Sequence, residues 1–454
     1  MSRIKTVAII LCLTLVLACA HSAQTPPPKP LVLTGVTVID VTGAAQPAAG
    51  VTVVIEGGRI REVGLAAKVK VPKGARVVNA SGKYLIPGLW DMHVHLSWTK
   101  ASALPVLVAN GVTSVRDLGG RLDELDAWRT EIAAGLRVGP RILRAGPILN
   151  GRSFNPLQMV PGNPDETRGV IRALKYVGVD FIKVHRRMER DSYLAAIDEA
   201  KKQGLALVGH IPMTVTPEEA SDAGQVTIEH TETLFEGTFS ERNKDRKLPD
   251  AIRQFRDGGE AEKLFARFAK NGTVVTPTLV AFSSIIEAYD PALPPNPLKR
   301  YVALSYKEEE RKRAQTISAE DLAETKATFA ELKEVVRLLH KAGVTLMTGS
   351  DIAATRVPGF TLHDELALLV GAGLTPLEAL RAATVTPARV MKKEKDLGTI
   401  EAGKLADLVL LDANPLDDIG NARRIRAVIV NGKLLDRAAL DRLLAEAERD
   451  ALKN

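Results

Sequence analysis

Four histidines, one lysine and one aspartate stand at the ends of, or within, short apolar runs: His93, His95, Lys183, His210, His230 and Asp351. In His93-Val94-His95 the period of two puts both imidazoles on one face of a strand, where they can chelate one cation. Alone, this H-x-H pattern is weak evidence, because chance produces it often. The company it keeps gives it weight. Neutral imidazole and carboxylate are the donors that suit zinc and similar divalent ions. Lysine is different: with a pKa of about 10.4 it is a cationic donor and no ligand as it stands. Unpaired inside an apolar run such as 181–185, it is also costly to bury.

Such a constellation needs a frame that gathers strand ends. Eight apolar runs, near 86–95, 113–118, 141–146, 181–185, 207–210, 227–230, 274–278 and 345–351, alternate with amphipathic stretches. That is the pattern of βα units around a parallel sheet, and eight of them predict an α/β fold, a (β/α)8 TIM barrel. A doubly wound sheet is the alternative, but no Gly-rich phosphate turn follows the first run. Residues 31–85 and 398–454 are richer in β-branched residues and turns, with Gly57-Gly58 and Asn431-Gly432 as hairpin signals. They are expected to pack together as a small β-sandwich with a terminal helix from about Arg437, beside a barrel domain at 86–397. The Glu-, Lys- and Ala-rich stretch 294–341 reads as long helices near the strand-seven and strand-eight ends.

Seven segments carry a resemblance: PGLWDMHVH (87–95), GVTSVRDLGG (111–120), DFIKV (180–184), IEH (228–230), TGSD (348–351), GLTPLEALRAAT (373–384) and LGTIEAGKLADLVLLDANP (397–415). Together they resemble the amidohydrolase superfamily, in its imidazolonepropionase-like and prolidase-like (Xaa-Pro dipeptidase-like) branch. The resemblance implies a binuclear metal site with zinc as the first expectation. His93, His95 and Asp351 would bind one ion, His210 and His230 the other. Lys183, carboxylated by carbon dioxide to a carbamate, would bridge them. A metal-bridging hydroxide would attack the amide carbonyl, with Asp351 as general base. The implied activity is cleavage of C–N amide bonds in dipeptides or N-acyl amino acids.

Other residues are weighed beside these. His185 shares a strand face with Lys183 and either lines the pocket or is an ordinary rim residue. Arg152, after strand three, and Arg186, after strand four, are candidate partners for a substrate carboxylate, and a solvated arginine is the plainer reading of Arg152. His363 reads as structural and His340 as a solvated helix-end residue. Arg116-Asp117 reads as a buried ion pair. Met213 stands where one-metal deaminases and ring hydrolases of the superfamily place a proton-shuttling Glu, which favours the two-metal arrangement. A lactone, ester or cyclic-amide hydrolase is the alternative on the same residues, and a non-catalytic binding lipoprotein is the alternative outside enzymes.

The N-terminus sets a location. Arg3 and Lys5 precede an uncharged run at 7–18 that is shorter than the roughly 20 residues a membrane span needs and has the form of an export signal. Val16-Leu17-Ala18-Cys19 resembles a lipobox, so residues 1–18 read as a lipoprotein-type signal. Membrane attachment is then expected only through a lipid on Cys19, in the cell envelope, at the outer membrane if the cell is Gram-negative. Residues 19–30 form a Pro-rich tether. The only other cysteine is Cys12, within the signal, so no disulfide framework is possible. A net charge of +7 with only 4% aromatic residues offers no stacking surface for nucleobases, which argues against a nucleic-acid partner. Small molecules or short peptides are the expected substrates, and a homo-oligomer is compatible with the sequence.

Overall fold

Gly57 and Gly58 both take left-handed backbone, φ 57° and 79°, as a two-residue hairpin turn requires. They join Ala48–Glu56 antiparallel to Arg59–Leu65. Asn431-Gly432 does the same for Ile425–Val430 and Lys433–Asp436. Both hairpins belong to one eight-stranded sheet. Its seam is Tyr84–Pro87, which pairs parallel with Leu31–Val38 and antiparallel with Leu408–Leu411. The two terminal zones are thus joined edge to edge by hydrogen bonds, a more intimate union than the packing expected of them. Leu33, Val53, Ile55, Leu408, Leu410 and Ile429 share one core. Helix Arg437–Ala451, N-capped by Asp436, ends the fold. This computed structural model describes residues 29–43, 47–353 and 356–453. The expected signal, Cys19 and nearly all of the tether lie outside the described residues. Among those described, no helix is long and apolar enough to cross a membrane.

Between the terminal zones each of the eight segments read from the sequence holds a parallel strand, and a further short one, Gln158–Met159, flanks the third. The eight are Leu89–Val94, Val112–Asp117, Arg141–Arg144 continued by Ile148–Leu149, Ile182–Val184, Leu207–Gly209, Thr227–Glu229, Val274–Thr276 and Thr345–Leu346, numbered one to eight below. Ladders join one to two to three, then three through eight in order. Beyond strand eight the chain runs beside strand one. Met92 donates its N–H to Thr348 O (3.0 Å), and Val94 bridges Ile352 in the parallel sense.

Helices cover the outside. Ile171, Leu174, Tyr193, Val335 and Leu339 bury themselves with Ile182, Leu207 and Ile228 of the strands. Their starts follow capping chemistry: Asn163 and Thr216 accept the N–H groups of Glu166 and Glu219, and Ser318 and Thr375 complete capping boxes with Asp321 and Glu378. The 294–341 stretch forms helices Leu304–Ala314 and Ala319–Lys341. On the other face of these strands, Trp90, Met92, Phe181, Val208, Val274 and Met347 make an apolar plug.

Leu408, fully buried on the strand that pairs with the seam, couples the two ends of the chain. Leu408→Ala should lower unfolding free energy by about 2–5 kcal/mol in denaturant titration. A loss under about 1 kcal/mol would mean the seam contributes little.

Candidate active site

A simple period of two along strand one would put His93 on the face opposite Trp90 and Met92. Yet Trp90 and Met92 sit in the plug, while His93 faces Glu229 of strand six and Asp351 after strand eight. The ladder explains this. Pairing jumps from Asp91↔Val115 to Val94↔Asp117, one extra residue on strand one. Such a bulge re-aims the side chains that follow it.

Above the plug lies a polar layer. Arg116 of strand two donates to Met92 O (2.7 Å), to Thr227 Oγ1 (3.0 Å) and to Glu229 Oε1 (2.5 Å), with both charged partners fully buried. Asp117 faces elsewhere and accepts the N–H groups of Leu96 (2.7 Å) and Gly119 (3.1 Å). The expected Arg116–Asp117 pair is therefore corrected: strand neighbours point to opposite faces, and the partner of Arg116 is Glu229. The other oxygen of Glu229 comes within 3.3 Å of His93 Nδ1.

The imidazoles gather over this layer. His93 and His230 have ring centroids 4.5 Å apart, His210 and His230 4.8 Å, and His185 and His210 4.2 Å. Asp351 Oδ1 lies 3.4 Å from His93 Nε2 and 3.6 Å from His95 Nε2. Donor atoms of His93, His230 and Asp351 fall within 4.8 Å of one another, so the tightest group draws from both of the ligand sets the resemblance implied. His95 Nδ1 is bound to Gly119 O and His230 Nδ1 to Thr278 Oγ1 (2.7 Å), which leaves each Nε2 for another partner. Both nitrogens of His93, Nδ1 of His210 and Nζ of Lys183 are buried with no hydrogen-bond partner.

Strand ends are bent to achieve this. His230, Thr278 and Asp351 all take left-handed φ, 67°, 49° and 49°, a conformation costly for non-glycine residues that clusters at functional sites. Gly349 permits the close approach of the strand-eight end, since a Cβ there would lie 2.8 Å from His93 Cβ.

Burial governs the charges. It pushes His95 and His230 down to about 4 and His185 to about 3, and holds His93 and His210 well below the usual imidazole range. It also brings Lys183 down to about 8. Burial alone would raise the Asp351 carboxyl, but Arg356 and then the His93 and His230 rings outweigh it and hold it below the usual range. Arg356 grips Asp351 twice, from Nε to the backbone oxygen (2.6 Å) and from Nη2 to Oδ2.

His95, Lys183, His185, His210, His230, Asp351 and Arg356 border a cavity of about 380 Å³ that also meets Trp98, Phe154, Gln158, Arg186 and Glu232, with His93 buried behind it. Arg186 lines it while pairing with Glu236 (2.7 Å). Arg152 borders a neighbouring depression instead and lies over the ring of Phe154, which itself meets the cavity. His363 holds Asn110 O (2.9 Å) and His340 faces Glu378 (3.5 Å), both away from the site, as expected.

The model of the amidohydrolase family matches residues 84–435. The chain belongs to the amidohydrolase family. It is similar to an imidazolonepropionase of Symbiobacterium thermophilum, 23% identical over 78% of this chain and 82% of that one. Among solved structures it is similar to a prolidase candidate from Bifidobacterium longum (26% identity, 93% and 100% of the two chains, TM-score 0.68). It is also similar to the bottromycin amidohydrolase (25%, 94% and 91%, 0.76). At this level it is a hydrolase of C–N bonds.

Reading the sequence missed Glu229, Glu232, Thr278, Trp98 and Arg356 in this family member. Glu229 could have been found, since it lies inside the quoted IEH segment beside His230. Nothing in the spacing of Arg356 marked it.

An imidazole with a depressed pKa is neutral in the fold and takes up a proton near 6.5 once unfolded. Between about pH 6.5 and 4, set by His95 and His230, the unfolded chain binds more protons. Metal-stripped protein should therefore lose stability as pH falls through that window. Denaturation midpoints of chelator-treated protein at about pH 7.5 and pH 5 check this, and equal midpoints would contradict it.

Proposed function

We propose that this amidohydrolase cleaves the amide bond of small substrates bearing a free carboxylate, dipeptides or N-acyl amino acids, at a two-metal site on a closed (β/α)8 barrel. In this reading the barrel spans 86–397, and 31–85 with 398–454 form a flanking β-sandwich. The enzyme works in the cell envelope, tethered through Cys19. One observation carries the chemistry: neutral imidazoles, a carboxylate and an unpaired lysine converge on one cavity with buried donor atoms left free.

Those orphaned nitrogens fit divalent cations better than any hydrogen-bonded alternative, since unsatisfied buried polar atoms are rare in folded proteins. His93, His95 and Asp351 would hold one ion and His210 and His230 a second, with zinc the natural choice for such donors. Bound ions supply a Lewis acid for the scissile carbonyl and water that deprotonates near neutral pH. Lys183 completes the set. With a pKa near 8 it has a neutral fraction at pH 7, and that amine could add to carbon dioxide with release of one proton, which would make Lys183 an anionic oxygen donor.

Asp351 is kept ionised by Arg356, ready to accept a proton from the attacking water and return it to the leaving nitrogen. Arg186, on the cavity wall with a buried Nε lacking a partner, pairs with the substrate carboxylate. A second reading, cyclic-amide opening or deamination, is favoured by Glu232. Burial pushes this cavity-wall carboxyl up to about 8, so it can donate a proton that Met213 cannot.

The test is hydrolysis of a dipeptide and N-acyl-amino-acid library by the mature protein loaded with zinc and bicarbonate. Asp351→Asn should lose at least about 100-fold in kcat. Arg186→Ala should raise KM roughly 10- to 100-fold for carboxylate substrates and leave their amides unaffected. Silence toward every linear amide, with turnover of cyclic amides or release of ammonia, would move the second reading to the front.

A further inference from the structure

A second pocket of about 210 Å³ adjoins the cavity just described. Trp98 and Arg356 line both, so the two spaces share a wall. Its buried floor is apolar, made by Val302, Pro358, Ala103 and Ala451, with Ala303, Tyr301 and Tyr306 beside them and the polar Thr99, Ser102 and Ser305 also on its wall. Its charged neighbours already have partners, Arg356 in Asp351 and Lys100 in Glu124 (3.5 Å).

The pocket is firmly built. The Tyr306 hydroxyl donates to Trp98 O (3.1 Å), tying the 297–314 segment to the turn that follows strand one. The Tyr301 ring stacks on Phe360 with centroids 5.4 Å apart. The Trp98 ring in turn lies 4.6 Å from that of His95. A group seated here is therefore one ring away from the imidazole cluster.

Strand order gives the pocket a direction. Arg186 follows strand four, whereas Trp98 and Arg356 follow strands one and eight, on the other side of the strand sequence. An amide held over the imidazoles with its carboxylate at Arg186 would turn its acyl side toward the pocket.

We infer that this pocket is a specificity subsite for an apolar, preferably aromatic, acyl group or N-terminal side chain. The inference rests on the amide-hydrolase reading, but its test does not require turnover. Calorimetry should show zinc-loaded protein binding N-phenylacetylglycine about tenfold more tightly than N-acetylglycine, as burial of an aryl ring implies. Ala303→Phe, which fills the pocket, should abolish that difference and leave N-acetylglycine unchanged. Tyr306→Ala, which enlarges it, should shift preference toward bulkier acyl groups, with melting curves confirming that both variants fold. Equal binding of the two ligands by the wild type, or undiminished discrimination in folded Ala303→Phe, would overturn the subsite. Selective binding with no cleavage of either ligand would keep the subsite and reject linear-amide hydrolysis.

Discussion

The site rests on one buried ion pair. Arg116 reaches from strand two to Glu229 on strand six, and fixes Met92 O and Thr227 on the way. Removing one member of such a pair would strand a charge in the interior, so the pair holds its register firmly. That register carries the site: Glu229 comes up beneath His93, and the next residue, His230, completes the imidazole group above. The apolar plug below keeps water out of this layer, and the bulge after Asp91 turns His93 toward it.

Above the brace, the energetics are unfavourable by design. Five imidazoles with depressed pKa values, a lysine without a partner and a carboxylate share a small volume. Free donor atoms cost stability unless something accepts them. A cation would satisfy several at once and reverse the sign of the local field. Left-handed backbone at His230, Thr278 and Asp351 adds strain at the same place, which the surrounding ladders and helix packing must offset. This concentration of cost at the strand ends is the physical mark of a functional site.

Much of this was legible in the sequence because strand periodicity and ligand chemistry are local signals. His93, His95, Lys183, His210, His230 and Asp351 were each visible as a polar residue at or within an apolar run, and the structure gathers them, the last five on one cavity and His93 buried against His230 and Asp351. What stayed hidden depends on contacts between distant segments. The pairing of Arg116 with Glu229 could not be seen from Arg116-Asp117, where adjacency suggested the wrong partner. Simple alternation places His93 correctly with His95 but not relative to Met92, because the bulge shows only in the ladder. Arg356 follows a turn with no periodic pattern, and its role appears only once Asp351 is placed. The terminal β zones were recognised by their hairpin signals, but their edge-to-edge union needed Tyr84–Pro87 as a shared strand, and the boundary read between residues 85 and 86 cut that segment in two.

The central claim is that these donors form a two-ion site with Lys183 as its bridge. Metal content per chain, measured by mass spectrometry after dialysis against zinc and bicarbonate, tests it directly. The account predicts two tightly held ions in the wild type, with loss of at least one in Lys183→Ala that short carboxylic acids such as formate partly restore. No retained metal in a folded wild-type protein, or an unchanged pair of ions in Lys183→Ala, would contradict it.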